Sequence, residues 1–453
     1  MSHETWLIIA TIIGIALLLF LIMKIKLHAF VSLLIASLFI GVASGMSPLD
    51  IIDVIETGMG GTLGFIAVVV GLGAMFGEVL KVSGGAERLA LTLIDKFGEK
   101  RSQWALGFTG FLVSIPVFLD VALVILIPII YSLARKTKKS LLYYGIPLLA
   151  GLAVAHSFVP PTPGPMTVAA MLSVDLGWVI LFGILAGIPA MILAGPVFGK
   201  YIGDKMHLEV PDYQKLDEEV SSIREEKDLP SFMLVFTLIL IPLVLILVNT
   251  VTGAIVGEDS GNLLAEVIQF VGHPFVALII TVVLTFITLG TRRGYSRDEV
   301  QEVATKALEP AGIIILITGA GGVFKEVLIQ SGVGDVMGNM VVGAGLPLVV
   351  AAFVITTFVR VAQGSATVAM VTGAGLMAPI IDISPVTQPE LGLIAISIAS
   401  GATVLSHVND SGFWLVNRFF GMTTGETLKS WTVMETIIGL TGFAVVFILS
   451  LVI

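Results

Sequence analysis

The sequence predicts an all-α polytopic membrane protein: two inverted-topology repeats, with about ten transmembrane helices, two re-entrant hairpins and two broken helices. Three observations predict it: a composition too apolar for water, apolar runs of membrane length, and an internal repeat. Of 453 residues, 56% are hydrophobic and 13% charged, and mean hydropathy is +1.03. Soluble domains carry about 25% charged residues. A soluble enzyme and a disordered chain are therefore excluded. A net charge of −9 argues against nucleic acid as a partner, because its binders present a basic patch. Cysteine is absent, so no disulfide or thiolate metal site exists. No metal or cofactor motif appears, and no GK[ST] follows the glycine-rich stretches, so nothing points to an ATP-driven motor.

A crossing needs about 20 apolar residues. Ten stretches qualify: 5–23, 27–46, 62–80, 141–172, 178–199, 231–249, 272–290, 310–330, 391–420 and 431–453. The first lacks a basic leader region and a cleavage site, so it reads as a retained helix. Two more apolar stretches, 104–131 and 346–379, are long for one crossing, and a charge interrupts each: Asp120 in one, Arg360 in the other.

Cytoplasmic loops concentrate Lys and Arg. Lys96, Lys100 and Arg101 precede 104–131, and Arg135, Lys136, Lys138 and Lys139 follow it. That segment enters and leaves from the cytoplasm. The segment 346–379 has no basic residue on either flank and belongs to the outside. Each is a re-entrant hairpin or two short spans. Both termini then lie outside, and all Lys and Arg except Lys325 and Arg360 fall in cytoplasmic segments.

Three parts follow. Residues 1–204 form a first repeat, with hairpin 104–131 and broken helix 141–172. Residues 205–230 are a polar cytoplasmic linker. Residues 231–453 form a second repeat, with hairpin 346–379 and broken helix 391–420. The repeat is visible directly: GLGAMFGEVLKVSG (71–84) matches GAGGVFKEVLIQSG (319–332) at eight of 14 positions. VFLDVA (117–122) then aligns with TFVRVA (357–362), and GLAVAHSFVPP (151–161) with GATVLSHVNDS (401–411). Each half has five crossings, an odd number, so the second half sits inverted. Secondary transporters have this architecture, with the site near the midplane.

The chemistry-bearing residues cluster in the irregular segments. Asp120 and Arg360 occupy equivalent hairpin positions, and a charge at membrane depth is costly and usually functional. Arg360 can clamp a carboxylate with its planar fork, while Asp120 can carry a proton. Gln363, Gly364, Ser365 and Thr367 place small amide and hydroxyl groups beside Arg360, suited to a hydroxylated solute. Four prolines in 160–165 cannot continue a helix, and irregular backbone at depth survives only when buried or lining a cavity. Ser157, Thr162 and Gly164 belong to this bend. Its counterpart, Ser406-His407-Val408-Asn409-Asp410-Ser411, adds Ser406, Asn409 and Ser411 as binding candidates. His156, His407 and Asp410 join Asp120 as candidate proton carriers. Helix half-ends here could hold anions or cations. Glu78 and Glu326 stand at span ends and read as helix-ending charges.

The segments IPVFLDVALVILIP (115–128), GLAVAHSFVPPTPGPMTVAA (151–170), GSATVAM (364–370) and SHVNDSGFWLVNRFFGMTTGETLKSWTVMET (406–436) closely resemble the gluconate permease family, part of the ion transporter superfamily. The resemblance runs nearly the whole chain. It implies inverted repeats, two re-entrant hairpins, a homodimer and proton symport of gluconate or a related hydroxylated acid. It carries over Asp120, the Pro160–Gly164 bend, Gly364 to Thr367 and His407 to Ser411. Family members often have His at the position of Thr162.

The expectation is an elevator-type carboxylate symporter in a bacterial plasma (inner) membrane, surrounded by lipid, with no cofactor and no enzymatic activity. Sodium-coupled carboxylate transport and D-serine or other hydroxy-acid transport are the alternatives. A channel needs no coupling, and an intramembrane enzyme needs a nucleophile or metal cluster that the sequence lacks.

Overall fold

The computed structural model describes residues 3–98, 101–211, 228–257, 262–333, 336 and 345–453. Most of the expected linker, 212–227, and Lys100 lie outside them. Secondary structure among the described residues is entirely helical.

Among the described residues, eight helices are long and apolar enough to cross a membrane. They are His3–Met23, Pro48–Val82, Leu141–Leu172, Leu176–Lys205, Phe232–Val256, Pro274–Arg293, Arg297–Gln330 and Thr424–Leu449. One of the ten expected crossings is shorter than a span. The stretch 27–46 forms a helix of only 15 residues, Ala29–Ala43, started by the His28 cap and ended at Ser44 before the left-handed Gly45. The stretch 391–420 is divided into Gln388–Gly401 and Ser411–Phe419. The expected span 62–80 is the end of a 35-residue helix, Pro48–Val82. It begins earlier because Ser47 caps Asp50 N at 3.2 Å and Pro48 fits the first turn. Three helices outside the expected spans, Gly85–Phe97, Leu263–Gly272 and Arg297–Lys306, are short. Arg297–Lys306 opens with a Ser296–Glu299 capping box.

Both expected hairpins are helix–break–helix units. Ser102–Ser114 and Leu119–Thr137 flank 115–118, where Pro116 interrupts the backbone ladder. Leu348–Gln363 and Ala366–Asp382 flank Gly364 and Ser365. Gly364 is left-handed at φ +94°, and Ser365 caps Val368 N at 3.4 Å. The prolines at 160–165 divide Leu141–Phe158 from Pro163–Leu172.

Leu141–Phe158 also contains Pro147, which removes the donor that would pair with the Tyr143 carbonyl. Gln103 of the first hairpin replaces it, donating Nε2 to Tyr143 O at 2.9 Å. Such replacement is what a helix interior without water requires.

The broken helices are central. Leu141–Phe158 is buried along nearly its whole length, whereas His3–Met23 buries only a few residues. Outward faces carry Ile12, Val248, Phe358 and Ile448, all exposed and apolar as lipid-facing positions are. Pro48–Val82 packs along Leu308–Gln330. They cross with Gly58 against Gly322: a Cβ on Gly322 would sit 2.6 Å from Gly58 O. Small residues permit this close helix approach. The matching 71–84 and 319–332 segments end alike. Ser83 and Ser331 both adopt φ −76°, ψ −8°, with left-handed Gly84 and Gly332 following. Each serine hydroxyl bonds a carbonyl three residues back, Leu80 O at 3.0 Å and Leu328 O at 3.2 Å.

Candidate functional site

The second hairpin and the second broken helix meet at Arg360. Arg360 lies in the last turn of Leu348–Gln363 and is 2% exposed, while Phe358, two residues earlier, faces out. Its Nη2 donates to Asp410 Oδ2 at 2.5 Å. The same carboxylate oxygen accepts from Ser406 Oγ at 2.5 Å, and Oδ1 accepts from Gly412 N at 3.0 Å. Asp410 therefore neutralises Arg360 and caps Ser411–Phe419 at once. Ser406 is positioned from behind: Trp431 Nε1 donates to its hydroxyl at 2.7 Å, and Thr432 Oγ1 donates to its carbonyl. Trp431 and Thr432 belong to a π-helical turn, Leu428–Thr432, a distortion frequent at functional sites.

A helix leaves its last carbonyls unpaired. Here His407 Nε2 and Asn409 Nδ2 both meet Val361 O at 3.0 Å, and Asn409 Nδ2 also reaches Ala362 O at 3.4 Å. Opposite a carbonyl, His407 Nε2 must carry the hydrogen. The approach is close: a Cβ on Gly364 would lie 2.3 Å from Asn409 O. Gln363 folds over the break, donating Nε2 to Ser365 O at 2.7 Å.

Two Arg360 nitrogens, Nε and Nη1, are buried with no hydrogen-bond partner. Guanidinium donors buried in a native structure call for an acceptor. Each can donate a charge-assisted hydrogen bond to an anionic oxygen, and because Nε–H shares its edge with Nη2 rather than Nη1, the two serve separate acceptor atoms.

The first half approaches from the other side. Tyr131 of the first hairpin donates its hydroxyl to the Phe419 carbonyl at the end of the second broken helix. Asp120, in the first turn of Leu119–Thr137, is exposed. It lies within electrostatic reach of His156 and Asp410. His156 meets the Phe118 ring edge-on at 6.5 Å, and its Nδ1 is buried without a partner. Asp120 and Arg360, equivalent by repeat register, are thus not paired with each other; Arg360 takes Asp410 instead. Ser157 is buried beside His156. The Thr162 hydroxyl bonds Val159 O at 2.7 Å, within its own bend. Gly164 packs on Met370, so the first broken helix touches the second hairpin. Thr367 and Ser411 line the two breaks, and no hydrogen bond among the described residues joins their hydroxyls to the Arg360 network.

Sequence reasoning missed Glu435. It is 4% exposed, one turn beyond the π-helical segment, within electrostatic reach of Arg360 and Asp410. A lone carboxylate in an apolar run was the signal that picked out Asp120, and WTVMETIIG (431–439) carries it as well. Among the described residues no cluster of metal-ligating side chains occurs.

Comparison with known proteins agrees with this architecture. A protein of Neisseria gonorrhoeae, MtrF, described as illuminating a class of antimetabolite efflux pumps, superposes with a TM-score of 0.66 at 14% identity. The match covers 94% of this chain and 96% of that one, and it establishes a shared fold. In sequence, the chain is 44% identical over 437 residues to the low-affinity gluconate transporter of Escherichia coli K12, covering 96% of each. It is 38% identical over 452 residues to the gluconate permease of Pseudomonas aeruginosa, covering 100% of this chain and 99% of the relative. These relatives are transporters and permeases, not enzymes. The GntP family permease profile matches residues 6–452, and the chain belongs to that family as a multi-pass membrane permease.

Proposed function

We propose that this permease is a secondary active transporter that carries gluconate, or a related small hydroxylated carboxylate, together with a proton. The observation that carries the reading is Arg360: buried, charge-paired on Nη2 with Asp410, and presenting two unpartnered nitrogens where two breaks meet. The substrate carboxylate docks on one of these two nitrogens. Gln363, Ser365, Thr367, Asn409 and Ser411 meet its hydroxyls. Asp120, exposed and within electrostatic reach of His156, is the port through which the proton enters. The names of its relatives support gluconate as the substrate.

An elevator-type motion fits the packing. Ala29–Ala43 and Pro48–Val82 pack with Leu308–Gln330 as a scaffold, while hairpins and broken helices pack mainly on each other. Two polar contacts link the groups: Thr167 Oγ1 lies 3.0 Å from Thr318 Oγ1, and Lys325 Nζ donates to Met171 O at 2.7 Å. The like-capped segments at Ser83 and Ser331 support two inverted repeats. We assign the chain to a bacterial inner membrane as a homodimer, with both termini outside. Sodium coupling is the less favoured reading, because the Val361 and Ala362 carbonyls already face His407 and Asn409 donors.

The test is competition. Purified protein in sodium-free proteoliposomes takes up labelled gluconate saturably, and unlabelled sugar acids compete better than D-serine or a dicarboxylate. Equal competition by a dicarboxylate, or no saturable uptake, contradicts the reading.

A further inference from the structure

We infer that Glu435 is the residue that accepts the coupled proton as the substrate carboxylate docks, an assignment that rests on the symport reading above. Glu435 sits at the third position of Val433–Leu449 and is almost wholly buried. Its helix begins where the π-helical turn ends, and that turn holds Ser406 through Trp431 and Thr432. Glu435 therefore lies one turn beyond the segment that positions Ser406, the residue bonded to the Arg360 partner Asp410.

The charges decide the role. Of the groups on elements packed around Glu435, Arg360 from the second hairpin and Asp410 from the second break act on it. Asp120 from the first hairpin and His156 from the first broken helix act on Asp410 in turn. The packed helices Gln388–Gly401 and Leu176–Ile192 bring no charged residue beyond Glu390 at the outer end. Asp410 is engaged by three hydrogen bonds and caps a helix, so both of its oxygens are already taken. With Glu435 also ionised, the pocket holds two carboxylates against one guanidinium. A docking substrate makes three, and uncompensated charge in a low-dielectric interior is strongly unfavourable. One proton on a Glu435 oxygen removes one negative charge as the substrate brings another. Release of both on the far side returns the pocket to its starting charge.

The test separates binding from coupling in proteoliposomes. For one coupled proton, a gradient of one pH unit drives about tenfold accumulation of gluconate. Glu435→Gln is expected to exchange gluconate across the membrane yet lose that tenfold accumulation. Glu435→Asp is expected to keep accumulation with a shifted pH profile. Independently of any variant, calorimetry of gluconate binding to the unmodified protein, in buffers of different ionisation enthalpy, should report proton uptake. Proton-driven accumulation by Glu435→Gln equal to the parent overturns the assignment. So does binding without proton uptake, or an unshifted Glu435→Asp profile. Failure of the parent protein to transport gluconate would instead sink the symport reading, which keeps the two failures distinct.

Discussion

Replacing Arg360 by lysine isolates the geometry of the guanidinium from its charge. Arg360 is 2% exposed, and its Nη2 holds Asp410 at 2.5 Å while Nε and Nη1 face the site. A lysine keeps the positive charge and can still reach one carboxylate. It cannot hold Asp410 and also present the separate Nε and Nη1 donors of a planar guanidinium to a second one. The variant then loses one or two charge-assisted hydrogen bonds to the substrate, each worth about 1.5–3 kcal/mol. At 1.4 kcal/mol per factor of ten, one such bond raises the apparent KM for gluconate roughly 10- to 100-fold. Alanine is a poorer probe. It strands the half-buried Asp410 carboxylate, at a stability cost of about 3–5 kcal/mol. The assay is initial-rate gluconate uptake over a concentration series in proteoliposomes, with thermal unfolding of the same preparation as a control. An intact Arg360→Lys protein whose KM stays within twofold of the parent would refute the carboxylate clamp.

Other positions test the scaffold around that clamp. Trp431→Phe removes the Nε1–H donated to Ser406, about 1 kcal/mol of positioning, together with part of a buried ring system. The KM for gluconate should rise several-fold alongside a lower melting temperature; an unchanged KM would detach the π-helical turn from the site. Gly364→Ala places a Cβ against Asn409 O at a left-handed φ, so the second hairpin tip must shift. It should transport poorly and unfold earlier, whereas parent-like uptake would show that the tip is not held where the Asn409 contact puts it. Gln103→Ala leaves the Tyr143 carbonyl unpaired beside Pro147 and should cost about 1–3 kcal/mol of stability. Equal denaturation midpoints for variant and parent would contradict that role.

Much of this arrangement was legible from residue types. Asp120 and Arg360 stood out because charges in apolar runs are expensive, and the 160–165 prolines marked a break because proline cannot continue a helix interior. The repeat was read from the residue match of 71–84 with 319–332, whose ends, Ser83-Gly84 and Ser331-Gly332, have the same backbone geometry. Partnership was less legible. Repeat register set Asp120 opposite Arg360, yet the partner is Asp410, which lies 50 residues along the chain and is brought in by the second break. Periodicity says nothing about such long-range pairing. His407 and Asn409 read as solute or proton groups, and their observed bonds cap the orphan carbonyls of the neighbouring hairpin helix. Glu435 escaped notice because its apolar run was taken whole as a final crossing, although it obeyed the same rule as Asp120. Three short helices were also missed, since they lie outside the membrane-length runs.

The central claim is coupled uptake of a hydroxylated carboxylate. Labelled gluconate uptake into proteoliposomes, in sodium-free buffer with and without an imposed inward proton gradient, tests it most directly. The account predicts saturable uptake that the gradient drives above equilibrium and that collapses when a protonophore dissipates it. Uptake indifferent to the proton gradient, or restored only by sodium, would contradict it.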